Sequence, residues 1–323
     1  EDLFSFAVAR HGFIEPECVE KKSLQKRGQR AAGILRIEYP ETTLEDIGGY
    51  QVLKDWLKVR KQVFLKRGAL GIAHPKGILL LGVPGCGKSF ISQAVAGSWE
   101  IPLVRMDPSC LYSSPLGASE QNLRRALNLV ESASPCVLWI DELEKGFAVT
   151  DPRTDGGVGY RLLGTLLSFL QERSSPVFIV GTTNDIRMLP KEFLRKGRWD
   201  EIFFLDLPEE EERRSILEKI LARHGIDVPV TQPMVGFSEN FSGAELEQAV
   251  LDAIFQSGGR RENVGDWEIF RALRKTIPLS YAFSDEIEAL RSWARFHARL
   301  ASKSPESSIT SENGSLHIKS NTV

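Results

Sequence analysis

Short apolar runs alternate with helical stripes through the middle of the chain. Residues 77–81 (Gly77-Ile78-Leu79-Leu80-Leu81) read as a strand buried on both faces, because no polar position interrupts the run. Similar runs follow at residues 101–106, broken by Pro102, and at 136–140, 177–180 and 202–205. Between them the apolar period lengthens. Leu53, Trp56, Leu57, Val63 and Phe64 share a face across residues 50–66, a helix begins at Phe90, and helical spacing recurs at 123–130 and 160–170. Alternation of this kind predicts an α/β fold, with a parallel sheet covered by helices on both faces.

After Pro208 the strand pattern stops. Residues 209–223, 243–255, 266–275 and 285–300 are amphipathic with helical period, which predicts a separate helical subdomain. The expected organisation is an N-terminal arm or the end of a preceding region at residues 1–40, a large α/β subdomain at 41–207, a helical subdomain at 208–300, and a disordered Ser- and Asn-rich tail at 301–323.

Composition narrows the partners. The chain has 323 residues, 42% hydrophobic and 26% charged, with a formal net charge of −2. That balance argues against a strongly basic nucleic-acid binder, and the basic run from Lys21 to Arg30 reads as a solvated helix face. Cys18, Cys86, Cys110 and Cys136 match no metal spacing, so a reducing compartment, the cytoplasm, is expected. No apolar run is long enough to insert in a membrane, and no signal peptide is apparent. The chain begins at Glu1, which predicts a fragment or a processed form.

Four segments carry candidate chemistry. Gly82-Val83-Pro84-Gly85-Cys86-Gly87-Lys88-Ser89 is a complete G-x-x-x-x-G-K-S loop between a strand and a helix. Its glycines let backbone N–H groups surround phosphate oxygens, Lys88 brings a cation to the β- and γ-phosphates, and Ser89 can ligate Mg²⁺. Cys86 inside the loop makes thiol modification an expected way to block the site. Asp141 and Glu142 end an apolar strand, where side chains face the ligand crevice. Asp141 is the candidate metal ligand and Glu142 the candidate general base. Asn184, after the strand at 177–180, would reach the attacking water or the γ-phosphate. Arg195 and Arg198 flank Gly197 in a turn suited to stabilising phosphoryl charge from outside the site.

The order Asp46-Ile47-Gly48-Gly49, GVPGCGKS, VLWIDE, GTTN, LRKGRWDE and FSGAELEQA resembles the AAA family of ATPases over residues 43–255. Residues 135–142, 202–208, 276–280 and 290–294 are most similar to its cyanobacterial and plastid branch of hypothetical chloroplast reading frame forty-six. The resemblance implies a P-loop NTPase sheet sandwiched by helices, followed by a small all-helical AAA lid, with ATP and Mg²⁺ as cofactors. It places Ile47 and Gly48 at an adenine-side turn. Pro84, Gly85, Cys86, Gly87, Lys88, Ser89 and Phe90 would surround the phosphates, and Gly243 and Ala244 would lie in the lid. Asn184 matches the first sensor, and Arg195 and Arg198 match arginine fingers that serve a neighbouring subunit. Such fingers imply a homo-hexameric ring, acting on a protein substrate or regulatory partner in the cytoplasm or plastid stroma.

One position departs from the family pattern. The aromatic residue expected before Gly117-Ala118-Ser119-Glu120 is replaced by Pro115, with Tyr112 nearby, which weakens the case for threading a polypeptide. Two functions are therefore expected in competition: a remodelling ATPase, and an ATP-switched scaffold that binds partners without threading them. A DNA-acting clamp loader or helicase finds no clustered basic and aromatic surface in the core.

Overall fold

A computed structural model describes residues 34–66, 74–111, 118–147 and 157–302. The arm up to residue 33, the Tyr112 and Pro115 segment, residues 148–156, where the sequence pattern predicts a mobile Gly- and Asp-rich loop over 147–159, and the tail from residue 303 lie outside the described residues.

Strand register sorts the apolar runs onto two faces. The seven described strands are β1 (Leu35–Glu38), β2 (Gly77–Gly82), β3 (Leu103–Met106), β4 (Cys136–Ile140), β5 (Val177–Thr183), β6 (Glu201–Leu205) and β7 (Arg299–Leu300), ordered β1-β3-β4-β5-β2-β6-β7. All neighbours are parallel except β1 and β3. Side chains alternate across a strand. Thus Leu79, Leu81, Leu138, Ile140 and Ile179 enter one core, while Ile78, Leu80, Val137, Trp139, Phe178 and Val180 enter the other. Helices α3 (Ala118–Ser132) and α5 (Val158–Glu172) cover the first face; α1 (Gln51–Leu65) and α2 (Lys88–Trp99) cover the second. Within the second core the rings of Trp99 and Phe178 lie 4.6 Å apart, and Phe64 meets both. Truncating Phe178 to Ala would cost about 3–5 kcal/mol.

This strand order positions the site. The short helix α4 (Leu143–Phe147) follows β4. β5 lies between β2 and β4. The phosphate-type loop after β2, the acidic pair after β4 and the Gly181–Asn184 segment ending β5 therefore meet along one carboxyl edge, the usual crevice of an open α/β sheet.

The lid has a core of its own. It contains α6 (Glu210–His224), α7 (Gln232–Phe237), α8 (Gly243–Gln256) and α9 (Asp266–Lys275), joined by Leu217, Ile220, Phe241, Leu246, Val250, Ile269 and Leu273. Helix α8 opens with a capping box, in which Ser242 Oγ and Glu245 exchange hydrogen bonds. The structure moves two boundaries. β1 brings residues assigned to the arm into the sheet as an antiparallel edge. At the other end, α10 (Ser284–His297) leaves the lid, and Ile287, Leu290 and Ala294 pack into the sheet cores. Arg291 grips Asp206 with two nitrogens, at 2.8 and 2.9 Å. β7 then pairs with β6, although no strand was expected after Pro208. Two residues of backbone pairing leave too little side-chain pattern to read.

Candidate functional site

The loop after β2 is shaped by glycine. Gly85 and Gly87 have φ of +82° and +84°, a region that favours glycine. A side chain on Gly85 would also come within 2.6 Å of Ser242 Oγ. The lid meets the loop there, where Ala244 N–H donates to the Gly85 carbonyl at 3.0 Å. Behind the loop, Tyr50 OH donates to the carbonyl of Cys86 at 2.9 Å.

A cavity of about 940 Å³ opens above this loop. It sits near the upper end of the usual range for small-molecule sites, which reaches about 1,000 Å³, and so has room for a nucleoside triphosphate. It is lined by Ile47 and Gly48 from the entry turn, by Pro84, Gly85, Cys86, Gly87, Lys88, Ser89 and Phe90, by Asp141, Glu142 and Asn184, and by Gly243 and Ala244 from the lid. These expected site residues, far apart in sequence, thus share one wall. Arg195 and Arg198 do not line it. Arg195 is exposed, and the Arg198 guanidinium donates to the Glu192 carbonyl of its own turn. Burial, and then the like charge of Arg195, lowers the Arg198 pKa.

Lys88 is buried at the base of the loop, donating to the carbonyls of Gly82 at 2.7 Å and Val83 at 3.1 Å. Burial lowers its pKa to about 8, against the opposing pull of Cys86, Glu144, Asp141 and Glu142. Burial has the opposite effect on Cys86, whose thiol is pushed up to about 12. The thiolate is the reactive form of cysteine. The expectation that Cys86 offers a point of modification is therefore corrected: the thiol faces the core, and only its backbone serves the loop.

Thr182 organises the acidic pair. Its hydroxyl donates to Asp141 Oδ1 at 2.9 Å and accepts from Glu142 N–H at 3.0 Å. Glu142 has φ of +49°, uncommon for a residue with a side chain. That backbone strain, of order 1–3 kcal/mol, is typical of functional sites. Asn184 Nδ2 donates to Glu142 Oε1 at 3.2 Å, and Asn184 N–H donates to Glu144 Oε1 at 3.0 Å. Asp141 Oδ2 also accepts from Arg105 at 3.1 Å, and Arg105 lies 4.3 Å over the Trp139 ring.

The donor set suits Mg²⁺, which favours oxygen ligands and is usually held by one or two carboxylates plus phosphates. Asp141 and the exposed hydroxyl of Ser89 face the same cavity.

Several lining residues escaped sequence reasoning. Tyr50 and Thr182 act through hydrogen bonds to residues far away in sequence, in the segments that follow other strands, which no local pattern announces. Ile216, Lys219, Ile220 and Arg223 also line the cavity. Their spacing places them on one stripe of α6, a signal the charged helix did contain. Arg223 sits 5.5 Å over the Phe90 ring and pairs with Glu247 at 2.9 Å, joining lid to body.

Residues 78–207 match the family described as ATPase family associated with various cellular activities. This segment is an AAA domain. The chain as a whole is similar to proteins described as uncharacterized AAA domain-containing protein ycf46. That of Trieres chinensis is 40% identical over 90% of this chain, and that of Pyropia yezoensis is 40% identical over 79%. That of Gracilaria tenuistipitata var. liui is 37% identical over 81%. The chain spans only 60%, 53% and 54% of those three relatives, respectively. Among solved structures, the FIGL-1 AAA domain aligns with a TM-score of 0.67 at 22% identity, covering 90% of this chain and 98% of that one. The same domain described as in complex with ADP aligns at 0.67 and 21%, covering 88% and 98%. The likeness to FIGL-1 shows the fold. Among the described residues no helix is long and apolar enough to cross a membrane.

Proposed function

We propose that the AAA domain binds ATP with Mg²⁺ and hydrolyses it. The observation that carries this reading is the Asn184–Glu142 hydrogen bond, which sets a strained carboxylate at the mouth of a loop shaped for phosphates. Lys88 and the loop N–H groups hold the β- and γ-phosphates; Ser89 and Asp141 would hold the metal, which would supply charge neutralisation at the phosphates. Glu142 takes a proton from water as the water oxygen bonds to the γ-phosphorus. The bond from that phosphorus to the bridging oxygen breaks, and its electron pair leaves with ADP. Asn184 aligns Glu142 and the water.

Arg195 and Arg198 lie away from their own cavity, which fits a role at the site of the next subunit in a homo-hexameric ring. There they stabilise transition-state charge, and turnover couples to remodelling of a protein partner in the cytoplasm or plastid stroma. ATP turnover per subunit should then rise with protein concentration. Glu142→Gln should bind ATP and turn it over at least about a hundredfold more slowly; near-normal turnover in that variant would overturn the assignment.

A further inference from the structure

Each oxygen of Glu142 carries a contact. Oε1 accepts from Asn184, and Oε2 lies 2.5 Å from the ammonium of Lys145. The second contact has no evident structural purpose. Lys145 follows Glu142 by three residues on the same short segment, so their ion pair joins no two elements of the fold. The lysine side chain is 59% exposed, and pairs as open as this add little stability. The buried cation nearby, Lys88, is already committed to the carbonyls of Gly82 and Val83.

We propose that Lys145 clamps Glu142 in a resting posture, so that hydrolysis requires the ion pair to open. The inference rests on Glu142 being the base. An ammonium against Oε2 takes the direction from which a water would donate its proton, and it draws electron density from the carboxylate. Opening the ion pair frees that direction for water and restores the basicity of the carboxylate. Lys145 acts through Glu142 and is therefore a positioning residue. Removing it should speed the unstimulated reaction, whereas a residue that merely supported the fold would slow it when lost.

The test compares steady-state ATP turnover of the wild type, Lys145→Met, Lys145→Arg, Glu142→Gln and the Glu142→Gln/Lys145→Met double variant at one subunit concentration. Lys145→Met should be faster than wild type at low salt, by about two- to fivefold, the range open to an exposed ion pair. That ratio should fall towards one between about 0.05 and 0.5 M salt, as screening opens the pair in the wild type. Lys145→Arg, which keeps the charge, should lie nearer wild type, and the double variant should be as slow as Glu142→Gln. The proposal is overturned if Lys145→Met is no faster at low salt, or if its gain is unchanged at high salt. A Glu142→Gln variant that turns over normally would instead remove the base assignment beneath it, so the two failures are distinguishable.

Discussion

Asn184 reaches Glu142 across the carboxyl edge of the sheet, with its amide nitrogen 3.2 Å from Oε1. The same residue is pinned through its backbone N–H to Glu144, a carboxylate buried beneath the site. Its side chain is thus aimed from a fixed base. Asn184→Ala should therefore reduce kcat by about 10²–10³-fold, the usual effect of losing one preorganised donor. KM should change little, because the ground-state phosphates rest on the loop. Steady-state kinetics checks this, and a rise in KM with unchanged kcat would assign Asn184 to binding instead.

Lys88 gives the protein a pH signature. Its folded pKa is near 8, below the ordinary 10.5. Between those values the unfolded chain holds a proton that the folded protein lacks, so the Lys88 contribution makes stability rise with pH across that window. Below about pH 8 the buried cation costs the nucleotide-free fold about 3 kcal/mol relative to the neutral amine. Denaturant titrations at pH 7.5 and 9.5 should show this rise in wild type and lose it in Lys88→Met. ATP affinity should move the other way, weakening above about pH 8, because binding then has to take up a proton.

Cysteine reactivity separates surface from core. Cys86 and Cys136 are buried, and each thiol is pushed up to about 12 by burial, while Cys110 is half-buried. Among the cysteines of the described residues, maleimide at neutral pH should label Cys110 before Cys86 and Cys136, which it should reach only as the protein unfolds. ATP binding should survive the first labelling. Mass spectrometry of the labelled peptides decides, and early modification of Cys86 would contradict the packing around it.

The parts legible in sequence are those whose identity depends on backbone conformation or complete burial. The octet at 82–89 needs its glycines, and residues 78–81, 136–140 and 177–180 are apolar throughout because helices cover both faces. β1 was hidden although Leu35 and Ile37 alternate with Arg36 and Glu38, because four residues at an edge resemble any mixed segment. Thr182, Arg105 and Lys145 stayed invisible for another reason. Each matters through a partner that strand order or a local turn brings near, and hydroxyls and charges of that kind occur everywhere on a surface. The left-handed turn at Glu142, which aims the carboxylate, likewise leaves no mark on residue type.

The return of the chain to the sheet changes the mechanics of the lid. Its four helices leave the body after β6 and come back through α10 and β7, where Ala301 bonds to Phe204 and Leu53. A domain on a single tether swivels freely. One held at both ends turns about the line joining its two anchors, like a door on a pair of pins. Arg291 and Asp206 brace those pins against each other. A swing of the lid over the cavity would then follow that one axis, and its closing would emerge elsewhere as a rotation of defined direction.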